Sequence, residues 1–201
     1  MTRSLTVTLL TVLALLAGCA SSPTATDSAQ SSWGQRSLRL AQLQNWQAEG
    51  KLALRNAGQA ESANLLWRQR GKHSELQLSG PLGMAATRIT SDGKTLDIQR
   101  GNEHQQMDIS SPHAIQLNTG WDLPLAALPY WLRGIPQPGA APGELQIEQE
   151  LLRSLQQDGW QVEFQGYATF GTYTLPTRLQ VKRGATSARL VIRHWLTGDE
   201  L

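Results

Sequence analysis

A thiolate is the strongest side-chain nucleophile near neutral pH, and this chain carries a single cysteine, Cys19. It follows Leu16-Ala17-Gly18, where small side chains let an extended backbone enter an enzyme cleft. The chemistry this spacing permits is alkylation of the thiol and cleavage just before it. With no second cysteine, no internal disulfide can form. The other chemistry-bearing residues exclude more than they offer. His73, His104, His113 and His194 include no pair at the spacing of a metal-binding helix. His194 stands in an alternating strand pattern, where an outward or hydrogen-bonded histidine is the ordinary outcome. No Gly-x-Ser-x-Gly elbow, phosphate-binding loop or glycine-rich dinucleotide fingerprint occurs. Acidic side chains are spread along the polar sides of strands, so no catalytic carboxylate pair stands out. The expectation is a protein that is not an enzyme and uses no metal and no cofactor. Seven Trp against three Tyr and two Phe point instead to a large core, an interface or a hydrophobic ligand cavity.

The elements around Cys19 suit its chemistry. Arg3 supplies a short positive start, and Leu5 to Ala17 form an apolar run shorter than the roughly 20 residues a spanning helix needs. The run reads as the core of a signal peptide over 1–18. Its end, Leu16-Ala17-Gly18-Cys19, resembles the lipobox of bacterial lipoproteins, which makes Cys19 the lipidation site and first mature residue. Ala20 and Ser21 follow, and neither is the aspartate that resembles an inner-membrane retention signal. That implies the outer membrane, on its periplasmic face. Residues 19–32, rich in Ser, Thr, Ala and Gln, read as a flexible tether.

Removing 18 residues from 201 leaves 183, enough for a single domain over 33–201 with a sizeable core. The near balance of 18 basic and 16 acidic side chains gives no reason to expect nucleic acid. No oligomer signal is visible, and a monomer is the expectation. Trp33, Leu40 and Leu43 share a helical face, although Gly34 weakens the start. From Trp46 the apolar period becomes two. Trp46, Ala48, Gly50, Leu52 and Leu54 alternate with Gln47, Glu49, Lys51 and Arg55, as in a half-buried strand. Further strands are expected around Ala63–Arg68, Leu76–Leu78, Thr87–Ile89, Leu96–Ile98 and Met107–Ile109, with turn residues between them. Ser111-Pro112 predicts a helix start, with Gly120 as its end. Leu123 to Leu132 reads as helical after Pro124 and interrupted at Pro129. Residues 134–143 form a loop, and Glu144 to Gln157 fits neither period. Strands resume at Trp160–Tyr167, Leu175–Lys182 and Ala188–Trp195. The fold class is mainly β with helices: one curved antiparallel sheet, or unclosed barrel, with a helical insertion.

Several spaced motifs together resemble the outer-membrane lipoprotein receptor family, LolB. They are Trp46-x-x-x-Gly50, Leu65-x-Trp67-x-Gln69, Gly80-Pro81-Leu82-Gly83 and Leu123-Pro124 followed by Tyr130-Trp131-Leu132-x-Gly134. Gln157-Asp158-Gly159-Trp160, Tyr167, Leu175-Pro176 and Ile192-x-x-Trp195 come after them, in family order. The resemblance implies an unclosed β-barrel whose helices enclose a hydrophobic cavity. It implies acceptance of acylated lipoproteins from the soluble periplasmic carrier LolA and their insertion into the outer membrane. It gives Leu82, between Pro81 and Gly83, the role of an exposed leucine on a protruding loop that touches the membrane and promotes release. Trp46, Leu52, Leu54, Leu65, Trp67, Leu76, Leu78, Trp131, Trp160 and Trp195 are candidates to line the acyl-chain cavity, with packed core the alternative for each.

Two other classes compete. A structural or assembly lipoprotein would bind envelope proteins through a Trp-rich face and take no acyl chains. A scattered-carboxylate envelope hydrolase would need a polar cleft. A periplasmic binding protein for another lipid differs only in cargo.

Overall fold

Alternation shapes the sheet from its first strand. In β1 (Asn45–Asn56), Trp46, Ala48 and Gly50 are buried while Asn45 and Lys51 are exposed, so one face of the strand is committed to an interior. The computed structural model describes residues 25–56, 58–80, 86–110, 124–198 and 201, with side chains from Ser32 onward. Cys19, Pro81, Leu82, Gly83 and the helix expected from Ser111 lie outside the described residues.

Ten further strands follow: β2 (Gln59–Arg70), β3 (His73–Ser79), β4 (Thr87–Ser91), β5 (Thr95–Arg100), β6 (Glu103–Asp108), β7 (Leu145–Glu148), β8 (Leu151–Gln157), β9 (Trp160–Phe170), β10 (Tyr173–Arg183) and β11 (Thr186–Thr197). They form one antiparallel sheet in the order β6-β5-β4-β3-β2-β1-β11-β10-β9-β8-β7. Two meanders are thus joined by the first and last strands. The sheet's edges, β6 and β7, are neighbours in sequence and do not pair with each other. The expected unclosed antiparallel sheet is what the chain forms.

The β1–β11 seam carries a bulge at Glu49/Gly50. A Cβ built on Gly50 would stand 2.0 Å from the carbonyl oxygen of Val191, so only glycine allows the two backbones to meet there. Bulges of this kind increase local twist, which helps the sheet curl around its buried face.

Helix α1 (Ala25–Gln42) precedes β1. It begins well before Trp33, within the segment read as tether. No proline or glycine intervenes between Ala25 and Trp33 to stop it. Helix α2 (Leu128–Leu132) carries Pro129 in its first turn. Pro129 therefore opens the helix rather than interrupting it, because the missing N–H would have been unpaired at that position anyway.

The ambiguous stretch from Glu144 to Gln157 is a hairpin. β7 and β8 turn through Gln149 and Glu150, whose φ values are +50° and +63°. Two successive left-handed residues make the turn type that tight hairpins favour, built here without the Asn or Gly that would announce it.

Gly50→Ala should destabilise the domain by about 3 kcal/mol, since a seam of two backbones must separate to admit the methyl. Urea unfolding of the soluble domain measures it, and a loss below ~1 kcal/mol would show that the bulge tolerates a side chain.

Candidate functional site

The inner face of the sheet is floored by tryptophan. Trp46 is fully buried, 5.7 Å from Trp67 and 5.3 Å from Trp195 between ring centroids. Cross-strand register explains the cluster: Ala48 of β1 pairs with Trp67 on one side and Trp195 on the other. A small residue between two large ones leaves the rings room to tilt over it. Leu65 and Leu76 are buried beside them, Trp67 and Leu76 being direct partners across β2 and β3.

The indole N–H groups are treated unequally. Trp67 Nε1 donates to Gln69 Oε1 at 3.2 Å, and Ser74 Oγ donates to the same oxygen at 2.6 Å. Trp195 Nε1 donates to the Pro176 carbonyl at 3.1 Å. Trp46 Nε1 has no partner among the described residues.

A second aromatic pair, Trp131 and Trp160 at 6.4 Å, lies where α2 packs under the far side of the sheet. Gln157, 2% exposed, binds the region together. Its Oε1 accepts from Trp131 Nε1 and from the Gln137 backbone N–H, both at 2.9 Å. Its Nε2 donates to the carbonyls of Gln137 and Ala140, both at 2.8 Å. A carboxamide with both ends fully used is inexpensive to bury.

Arg133 is also buried. Its guanidinium donates to the carbonyls of Leu40 at 2.9 Å and Leu43 at 2.8 Å, and to Pro129 at 3.0 Å, and lies over the Tyr130 ring at 4.9 Å. Leu40 belongs to the last turn of α1 and Leu43 follows it, where partial negative charge favours a cation. Burial lowers the pKa of this group from its ordinary value, and the Tyr130 side chain opposes that shift. Nearby, Tyr167 Oη donates to the Leu152 carbonyl at 2.7 Å, and burial pushes the phenol above its ordinary pKa. Gly134, with φ +77°, lets the chain pass Tyr167: a Cβ there would stand 3.1 Å from the hydroxyl.

The remaining candidates sit differently. Leu52, Leu54 and Leu78 lie on the same inner face and pack against the core, but are only half-buried, as is Ile89. They extend the tryptophan floor toward the strand ends Ser79 and Thr87, which flank residues 80–86. Among the described residues, the inner face is therefore more tightly packed at the end where β1 begins than where β3 ends. Sequence reasoning passed over Arg133, which occupies the open position of Tyr130-Trp131-Leu132-x-Gly134, and Gln157 as a hydrogen-bonding hub. An arginine between an apolar helix and a glycine was the available signal. Among the described residues no group of three His, Cys, Asp or Glu side chains could hold a metal ion.

This arrangement defines a class: an unclosed antiparallel β-sheet wrapped over helices, with an apolar inner face that is only partly buried toward one end among the described residues. Its fold resembles that of a putative outer membrane lipoprotein-sorting protein domain from Vibrio parahaemolyticus, with a TM-score of 0.54 at 10% identity over 86% of this chain and 94% of that one. A DUF1329 family protein from Desulfovibrio piger gives a TM-score of 0.51 at 10% identity, over 86% and 94% of the two chains.

Residues 44–195 match the family profile of outer membrane lipoprotein LolB. The chain is 34% identical over 189 residues to outer-membrane lipoprotein LolB of Pseudomonas fluorescens, covering 92% of each chain. It is 31% identical over 167 residues to that of Coxiella burnetii, covering 83% of this chain and 79% of the relative. The chain belongs to the LolB family, and is a lipid-anchored outer-membrane protein on the periplasmic side.

The unequal indoles give a test of the packing. Trp46→Phe and Trp195→Phe remove the same atoms from buried sites, yet only the second strands a hydrogen-bond acceptor. Trp195→Phe should cost about 1–3 kcal/mol more. Equal losses in thermal or urea unfolding would show that the Pro176 contact contributes nothing net.

Proposed function

We propose that this protein accepts acylated lipoproteins from the periplasmic carrier LolA, shelters their acyl chains against its inner face, and inserts them into the outer membrane. The observation that carries this reading is the half-buried apolar row of Leu52, Leu54, Leu78 and Ile89 beside a packed tryptophan floor, in a chain of the LolB family. Cys19, the only cysteine, is the proposed lipidation site and Leu82 the proposed membrane contact. The protein acts as a receptor, without catalysis or cofactor.

Physical chemistry makes such a receptor necessary. Each methylene of an acyl chain gains ~0.8 kcal/mol on leaving water, so free transit of a triacylated cysteine costs tens of kcal/mol. Passing the chains from one apolar wall to the next avoids that exposure. Direction then needs no nucleotide if each acceptor binds the chains better than the last. The half-buried leucines suit a wall that an acyl chain covers in place of water, and the sealed tryptophan end anchors that wall without itself admitting a guest.

The reading is tested by mixing the soluble Cys19→Ser domain with LolA loaded with acyl-labelled lipoprotein. Label should move to the domain; no movement between a folded domain and a loaded carrier would overturn the reading. Replacing both Leu52 and Leu54 by Gln should cut uptake at least tenfold, because two polar groups would face the acyl chains. The fold should survive, as both sites already reach solvent. Full-length Leu82→Glu should accept cargo but deliver it to vesicles at least tenfold more slowly, since a charged tip enters lipid at a cost of several kcal/mol. Delivery at the wild-type rate would remove Leu82 from the mechanism.

A further inference from the structure

On the outer face of the sheet, strands β1 to β5 carry a trough of about 690 Å³. Its floor follows from register. Asn64 of β2 pairs with Ser79 of β3, and Ala86 and Gly101 line the same trough beside β4 and β5. These four short side chains leave room for a channel across the strands. One wall is the neighbouring row of longer side chains, in which Leu66 pairs with Gln77, Gln77 with Arg88 and Arg88 with Gln99. At the β1 end the trough meets Glu49 and the exposed Arg193.

The trough and the apolar wall share a rim. Leu78 faces inward and its neighbour Ser79 lines the outer trough, at the point where β3 ends. An amphiphile with its acyl chains against Leu78 has its polar part at this rim. For an acylated lipoprotein, that part is the peptide following the modified cysteine.

We propose that the trough binds this peptide, the extended polar segment next to the acylated cysteine of the cargo. The proposal rests on the acyl-cargo reading above. The lining chemistry is mixed, apolar at Leu66 and polar around it, as a peptide's side chains and backbone together call for. The carboxamides of Asn64, Gln77 and Gln99 and the hydroxyl of Ser79 each donate and accept, as alternating backbone N–H and C=O groups require. Charge is nearly balanced, with Arg88 held by Glu75 at 3.0 Å, and with Glu49 and Arg193 both lining the β1 end. Balance suits an uncharged polar peptide better than a phosphate, which would call for clustered cations. Length agrees as well: four strand spacings of ~4.8 Å span ~19 Å, or about six extended residues. Such a site reads backbone rather than sequence, which fits a receptor for many cargoes.

The test compares two probes on the soluble Cys19→Ser domain: triacylated cysteine bearing an eight-residue Ser/Asn/Gln tail, and triacylated cysteine amide without a tail. The tailed probe should bind about tenfold more tightly, the worth of one or two net hydrogen bonds. Ala86→Trp, which fills the channel from an exposed position, should abolish that advantage and leave the tailless probe unaffected. Unchanged thermal unfolding would show that the variant remains folded. Equal affinities in the wild type would overturn the peptide site while leaving acyl binding in place. Weaker binding of the tailless probe to Ala86→Trp would assign the trough to the acylated cysteine itself and also overturn it. Failure of both probes to bind would overturn the acyl-cargo reading and the peptide site with it.

Discussion

The pairing of β1 with β11 is the constraint on which the rest of the molecule depends. It joins a strand near the start of the folded chain to the last one, with more than a hundred residues between them. Loop-closure entropy opposes so distant a contact, yet once it forms, two local meanders become one sheet. The same pairing decides where the sheet ends. With β1 and β11 central, the edges are β6 and β7, and the chain between them must cross the opening. Helix α2 lies in that crossing. It lands under the sheet as a consequence of connectivity, and its apolar Leu128, Trp131 and Leu132 are what such a position calls for.

Attachment of the helices is unusually polar. Arg133 joins the C-terminal end of α1 to α2 through backbone carbonyls, and Gln157 joins α2 and the following loop to β8. A buried cation without a carboxylate would ordinarily be expensive. Here the carbonyls at the end of α1 supply negative partial charge in fixed directions, and the Tyr130 ring covers one face of the guanidinium. Directional bonds fix the helices in place without using the whole apolar inner surface. The sealing aromatic contacts are concentrated at the end where β1 begins, and the leucines near the strand ends of β1 and β3 remain only half covered.

What the sequence revealed was what depends on period and local turn chemistry. Alternation located every strand but β7 and β8, because a half-buried sheet writes its two faces into the chain, although for β6 it caught only Met107 and Asp108 at the end of the strand. That pair escaped because Gln149 and Glu150 adopt left-handed backbone that their residue types do not advertise. The early start of α1 was missed because Ser, Gln and Ala in that stretch lack an apolar stripe. Long-range partnership was the harder loss. Gln157 reads as one more polar residue at a strand end until Trp131 and the 137–140 loop arrive beside it. The outer trough is invisible in the sequence, since Asn64, Ser79, Ala86 and Gly101 become a row only when four strands are in register.

An intermediary in downhill transfer must hold its cargo well enough to take it and poorly enough to give it up. A closed barrel with an apolar lumen would bury an acyl chain on all sides and approach the ~0.8 kcal/mol per methylene that a bilayer offers. A flat sheet would bury too little to compete with a carrier. A wall covered from one side recovers only part of the transfer free energy, because the hydrophobic gain scales with the area removed from water. For the receptor proposed above, that intermediate depth follows from two features: β6 and β7 do not pair, and among the described residues the tryptophan cluster packs one end. Under the proposed reading, the gap in the sheet sets the affinity. On that reading, the same openness that admits a chain keeps the site shallower than the membrane that finally receives it.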